Sequence, residues 1–214
     1  KLFESIFGIP YMTAMVVSGV VIVLYTALGG FLAASTTDFI QSIVMTIALV
    51  VVVGFGINYA GGWDNVVVNA NSMPGFLELF NTYDPSANAS TDYSGLTIAS
   101  TLAWGLGYFG IPQVLLRFMA IRKEGELKMS RRIAVVWVVI SLTVAVFIGI
   151  LGRQLFPVAH LTKAGAESIF ITLSQSFLPP ILAGFVMAGI LAATISSSDS
   201  YLLIAASAFA KNIF

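Results

Sequence analysis

The chain contains no cysteine and very little charge. The absence of cysteine excludes disulfides, thiol catalysis and cysteine-ligated metal sites. Charged residues make up 9% of the 214 residues, whereas soluble proteins carry about 25%. The formal net charge is zero, which gives no reason to expect a nucleic acid as a partner. Hydrophobic residues amount to 58%, so the composition predicts a membrane protein whose main surroundings are the lipid bilayer.

Five apolar stretches approach the roughly 20 residues that a helix needs to cross a bilayer. They run over 10–32, 38–59, 96–119, 133–151 and 180–208. The sequence therefore predicts an all-α membrane protein with five transmembrane helices, forming a single transmembrane domain over residues 1–214. The chain starts at Lys1 without a methionine and ends in an apolar run, so we expect it to be a fragment of a longer membrane protein.

The three polar connections differ in charge, which predicts the orientation of the spans. Residues 61–94 are acidic and are expected to form an irregular loop with one short helix at 76–80. The segment 117–132 is basic, and residues 158–179 are expected to hold an amphipathic surface helix over 166–177. Because Lys and Arg accumulate in cytoplasmic loops, the loop 120–132 is predicted to be cytoplasmic in a multi-pass protein of the cell membrane.

The fifth predicted span carries a cluster of polar residues. Ala193, Ser196, Ser197 and Ser200 follow the spacing of one helix face, and Asp199 borders that face. A carboxylate at the centre of a membrane helix costs about 2.5–3.5 kcal/mol, so it is expected to face protein, water or an ion. Small residues also allow close helix packing. Four serines beside an aspartate (Ser196, Ser197, Ser198 and Ser200 beside Asp199), however, favour a site for a hard cation such as Na⁺.

Asp38 is the second carboxylate that the sequence places inside the membrane. It opens the second predicted span, where an acidic residue in the first helical turn would also be explained by the helix dipole. The predicted orientation places Asp38 and Asp199 in the cytoplasmic half of the membrane. The two carboxylates are therefore candidates for the two sides of one cation path.

The third predicted span offers a surface for a solute. Thr101, Trp104 and Tyr108 lie on one stripe of the helix, and Pro112 would interrupt the helix because it lacks an N–H group. Broken helices mark binding sites in transporters, and aromatic side chains enclose small solutes or cationic amines. The alternative is an aromatic helix interface with a simple proline kink.

Several of these segments together resemble the sodium/solute symporter family, and within it the branch that transports proline. The matching stretches are 24–33, 37–41, 104–112, 117–120, 126–133 and 191–200. The resemblance implies the inverted-repeat fold of leucine-type transporters, of which these five spans would be core helices four to eight. It also implies sodium-coupled symport of a small organic solute, with L-proline as the favoured solute and Na⁺ as the coupling ion.

The resemblance assigns roles to the candidate residues. The main Na⁺ site would use the carbonyl of Ala193 and the hydroxyls of Ser196 and Ser197. Solute contacts would fall on Trp104, Tyr108 and Pro112, beside Thr101. A second cation site would use Asp38, Asp199 and Ser200. Asp199 stands where members with this second site have a hydroxyl, which either strengthens the site or replaces it with a protonatable group.

The sequence is also compatible with another solute or with a sensor function. Related branches carry sugars, sialic acid or other carboxylates, and a symporter-like membrane region fused to a signalling domain would be a sensor. An enzyme is not expected. Asp38 follows Thr and Asp199 follows Ser, so the sequence contexts of intramembrane aspartyl proteases are absent. The single histidine, His160, is predicted in a loop and unsuited to an intramembrane serine protease.

Overall fold

The computed structural model describes residues 2–157 and 163–213 and is mostly helical. Its helices are α1 (Leu2–Phe7), α2 (Tyr11–Tyr59), α3 (Trp63–Ser72), α4 (Gly95–Gly107), α5 (Pro112–Met119), α6 (Glu126–Leu155), α7 (Lys163–Glu167), α8 (Ile169–Phe177) and α9 (Pro180–Asn212). Two short strands, β1 (Asn81–Asp84) and β2 (Ala89–Asp92), and a 3₁₀ turn at Tyr108–Gly110 complete the described elements. The chain divides into two compact units, one of Lys1–Met45 with Ala188–Phe214 and one of Thr46–Met187.

Helix α2 contains a sharp break at Gly30. This residue has φ 57° and ψ −152°, whereas the residues on both sides are helical. A side chain with a Cβ atom rarely adopts such a conformation, which explains the glycine. At about 1.5 Å per residue, the 49 residues of α2 would far exceed the roughly 30 Å of a bilayer core. The break divides this length at the end of the first predicted span.

The far end of α2 is closed by a glycine pair. The N–H of Gly62 donates to the carbonyl of Ile57 at 2.9 Å, and the N–H of Gly61 donates to the carbonyl of Asn58 at 3.1 Å. Gly61 has φ 83°. This is the Schellman arrangement, in which a left-handed glycine lets the last helical carbonyls find donors. The glycine pair therefore ends α2 with these last backbone carbonyls hydrogen-bonded.

The second unit has an apolar core built where α2, α6, α8 and α9 supply buried side chains. Its buried members are Ala48, Val52, Ile148, Leu173, Leu178 and Val186. Outside the core, the indole N–H of Trp137 donates to the hydroxyl of Thr46 at 2.9 Å, so one polar pair also links α6 to α2. Apolar packing with few polar links is expected for helices that meet in a lipid environment.

Three described helices are long and apolar enough to cross a membrane: α2, α6 and α9. The prediction of five spans is not confirmed by this number. Two predicted spans, 10–32 and 38–59, fall in α2 on either side of Gly30. The third, 96–119, is divided among α4, the 3₁₀ turn and α5, each of them shorter than a full span. The count of five spans therefore stays a prediction.

The connection at 61–94 differs from the expectation. It holds helix α3 and an antiparallel hairpin in which Asn81 pairs with Asp92 and Asp84 with Ala89. The prediction of an all-α fold class is confirmed in that the chain is mostly helical, but this hairpin was not predicted. The predicted helix at 76–80 is wrong, because the chain forms turns and bends there.

The turn of this hairpin is closed by polar groups. Ser86 donates from its N–H and its hydroxyl to Asp84, at 2.8 and 2.6 Å. These hydrogen bonds hold the pKa of the Asp84 carboxyl below its usual value. The Arg153 guanidinium lies 5.3 Å from the centre of the Tyr83 ring, which links the hairpin to the end of α6.

The remaining connections also gain structure. Helix α6 begins at Glu126, so the second half of the predicted basic loop 120–132 is helical. The segment 158–179 contains α7 and α8, separated at Ser168, instead of one helix over 166–177. Residues 158–162, including His160, lie outside the described residues. The last helix, α9, extends the predicted span 180–208 to Asn212.

The contact between α6 and α8 leaves no room for a side chain at Gly152. A Cβ atom there would lie 2.2 Å from Cγ1 of Ile169. We expect Gly152→Ala to destabilise the protein by about 1–3 kcal/mol through overpacking, measured as a lower unfolding temperature in detergent. Gly149→Ala is the matched control on the same helix, because a Cβ atom at Gly149 meets nothing within 4 Å. Equal unfolding temperatures for the two variants would contradict this packing.

Candidate functional site

The polar cluster of α9 lies in the first compact unit, and its members differ in how deeply they are buried. Asp199 is fully buried and Ser200 is buried, whereas Ser196 is half-buried and Ala193 and Ser197 are exposed. The cluster therefore presents one face with accessible oxygen atoms and one face with an enclosed carboxylate. Among the described residues, no group of three or more His, Cys, Asp or Glu side chains is placed to hold a metal ion.

The serine hydroxyls of α9 bond to the backbone one turn earlier. Ser197 donates to the carbonyl of Ala193 at 3.2 Å, and Ser200 donates to the carbonyl of Ser196 at 3.1 Å. Such bonds satisfy the hydroxyl hydrogen and leave the oxygen lone pairs available to an ion. The Ala193 carbonyl and the Ser197 hydroxyl thus lie next to each other on the helix surface.

Asp199 has a partner that the sequence did not indicate. The hydroxyl of Tyr25, on α2, donates to Oδ2 of Asp199 at 2.7 Å. Oδ1 of the same carboxylate is buried and has no hydrogen-bond partner among the described residues. Because Tyr25 and Asp199 are 174 residues apart, helical periodicity gives no signal for this pairing. The one hint in the sequence is a phenol within an otherwise apolar helix.

Asp38 lies inside α2, eight residues beyond the break at Gly30. It is half-buried and does not start a helix, so the helix dipole does not account for it. The structure thus places Asp38, Tyr25 and Asp199 in the same compact unit, and Tyr25 and Asp199 are in direct contact.

The predicted solute surface lies in the second unit. Trp104 and Thr101 are on α4, Tyr108 begins the 3₁₀ turn, and Pro112 is the first residue of α5. Trp104 is 74% exposed and Tyr108 is 56% exposed, so both rings are accessible. The hydroxyl of Thr101 donates to the carbonyl of Thr97 at 2.8 Å and keeps its oxygen on the same stripe.

The helix break beside this surface is present but differs in detail from the expectation. The chain leaves helical geometry at Ile111, which is extended with φ −76° and ψ 117°, as expected for a residue before proline. The carbonyl of Tyr108 is not left free, because the N–H of Ile111 donates to it at 3.4 Å. The break therefore interrupts the helix after the aromatic stripe, while the Tyr108 carbonyl stays hydrogen-bonded.

Comparison with known proteins adds a family to this geometry. The family model described as "Sodium:solute symporter family" matches residues 1–214. The chain is 35% identical over all its residues to the sodium/proline symporters of Staphylococcus aureus strains USA300 / TCH1516 and Newman. It spans about 40% of the length of these curated relatives. No solved structure matches the chain significantly.

Proposed function

Because this chain belongs to the sodium:solute symporter family, we propose that it is part of a longer transporter that couples Na⁺ entry to the uptake of a small organic solute. The favoured solute is L-proline. The observation that carries this proposal is the 35% identity of the whole chain to sodium/proline symporters. The three long apolar helices support a protein embedded in the membrane. We further propose the inverted-repeat leucine-transporter-type fold, with the spans of this chain as core helices four to eight.

The main Na⁺ site of this proposal uses Ala193, Ser196 and Ser197. The Ser197 hydroxyl and the Ala193 carbonyl are adjacent oxygens on one face of α9, and that face is partly accessible. Neutral oxygen donors suit a hard monovalent ion. Because they add no charge, the ion is released readily, as a transport cycle requires. Ligands from other helices of the transporter would complete the shell.

A second cation site is proposed at Asp38, Asp199 and Ser200. Two carboxylates in one compact unit repel each other unless a positive charge lies between or beside them. The burial of Asp199 raises the cost of an uncompensated charge further. A bound cation would relieve both costs, and its loss would weaken the unit. The ion would then bind more tightly to the conformation in which these oxygens lie together. Coupling requires such a difference in affinity between conformations.

The solute is proposed to bind at Trp104, Tyr108, Thr101 and Pro112. The two exposed rings supply apolar area for a pyrrolidine ring and faces for its ammonium group. The break at Ile111 lets Tyr108 stand outside the regular helix. Loops are proposed to keep the orientation predicted above, with 120–132 in the cytoplasm of a plasma-membrane protein.

Removing the Ser196 hydroxyl tests the main Na⁺ site. In the full-length transporter, Ser196→Ala should raise the sodium concentration for half-maximal proline uptake by about tenfold, because losing one bond to a charged group costs about 1.5–3 kcal/mol before other ligands adjust. Ser207→Ala, at an exposed position on the same helix, is the control. Unchanged sodium dependence in Ser196→Ala would contradict the site.

Truncating Tyr108 tests the solute surface. Tyr108→Ala should raise the proline concentration for half-maximal uptake by about tenfold or more, as expected when a ring that contacts the ligand is lost. The sodium dependence measured at saturating proline should stay unchanged. Leu102→Ala removes a comparably exposed side chain of α4 that lies off the stripe. If both variants had the same effect on proline affinity, Tyr108 would lose its assignment.

A further inference from the structure

The Tyr25–Asp199 contact leaves a buried carboxylate without a compensating charge beside it among the described residues of its unit. Asp199 is 0% exposed, and the hydrogen-bond donor that the described residues give its side chain is the neutral phenol of Tyr25. Among residues 2–45 and 188–213, the single basic side chain is Lys211. It lies twelve residues along α9 from Asp199, which corresponds to about 18 Å along the helix. A hydrogen bond from a neutral group solvates one oxygen but does not neutralise the anion.

The two oxygens of this carboxylate have different surroundings. Oδ2 accepts the Tyr25 hydroxyl at 2.7 Å, a normal distance for a bond from a hydroxyl to a carboxylate. Oδ1 is buried and lacks a hydrogen-bond partner within the described ranges. A carboxylate held at one oxygen has a fixed direction for the other. The bare oxygen is therefore an oriented acceptor of positive charge.

We propose that Tyr25 is a positioning residue: by binding Oδ2 of Asp199, it aims Oδ1 at a monovalent cation in the second site. This inference rests on the proposed sodium coupling and adds to it a residue on α2, before the break at Gly30. Ligating carboxylates are commonly fixed in this way by a hydrogen bond to their other oxygen. The phenol suits the task because its ring restricts where the hydroxyl can lie.

Two further observations favour a cation at this place. Asp38 is a second, half-buried carboxylate of the same compact unit. The hydroxyl oxygen of Thr26, the residue that follows Tyr25 on α2, is also buried. Carboxylate and hydroxyl oxygens are the donors that hard cations prefer. An excess of such oxygens and a shortage of donors indicate a cation-binding environment.

Tyr25→Phe tests the positioning role, since it removes the hydroxyl and keeps the ring. Binding of ²²Na⁺ to the purified full-length protein should resolve two components, one for each site. We expect the half-saturation concentration of one component to rise about tenfold, which is the lower range for losing a group that orients a metal ligand. The other component should not move. Tyr201→Phe, which removes an exposed hydroxyl two residues beyond Asp199, should leave both components unchanged.

A second substitution separates positioning from a general structural effect. In an Asp199→Ser background, Tyr25→Phe should cause no further change, because Tyr25 acts through Asp199 and the two effects are then not additive. The inference is overturned if Tyr25→Phe moves neither component. It is also overturned if both components move together, or if the shift is the same in both backgrounds.

A third variant keeps the inference testable should Tyr25→Phe not reach the membrane. Asp199→Asn preserves the shape of the side chain and removes its charge, so it should abolish the same ²²Na⁺ component. Normal binding to Asp199→Asn would overturn the inference. Failure of the proposed function is distinguishable, because the unmodified protein would then bind no ²²Na⁺. Binding to the unmodified protein with no change in Tyr25→Phe contradicts the role of Tyr25 alone, whereas no change in Asp199→Asn also contradicts the proposed second cation site.

Discussion

The low polarity of lipid is the constraint on which this structure depends. Backbone N–H and C=O groups that face lipid must be paired within the protein, and an α-helix pairs them within a single spanning segment. Departures from helical geometry then need a local chemical cause. Gly30 tolerates its positive φ because it has no Cβ atom, and Ile111 is extended because Pro112 follows it. Both breaks lie beside residues that the proposed transport function uses.

Much of the fold follows from residues that act locally, and the failures have physical reasons. The glycine pairs and the proline break are readable because each depends on one residue's own backbone. The prediction that a helix starts at Asp38 is wrong, because α2 continues through this residue and Thr36 and Thr37 donate to the carbonyls of Leu32 and Ala33. Their hydroxyls are satisfied inside the helix, so a polar stretch that indicates a cap continues α2. The hairpin β1–β2 escapes prediction because its four-residue strands are short and polar.

The candidate site also has one part that can be predicted from the sequence and one part that cannot. The polar face of α9 can be predicted because its members recur at helical spacing, and their hydroxyls bond to carbonyls one turn away. Tyr25 cannot be predicted, because its contact with Asp199 joins segments 174 residues apart. Spacing along one helix therefore finds the residues that could hold a cation. The three-dimensional arrangement is needed to find the group that orients them.

The break at Gly30 is a local backbone feature that also bears on the arrangement of the candidate site. Tyr25 and Asp38 are thirteen residues apart, so an unbroken helix would separate them by about 20 Å along its axis. Both residues belong to one compact unit, together with Asp199. Gly30 is where α2 leaves helical geometry in this interval. A single glycine conformation thus interrupts α2 between Tyr25, which contacts Asp199, and Asp38, and the proposed second cation site draws on residues from both sides of that break.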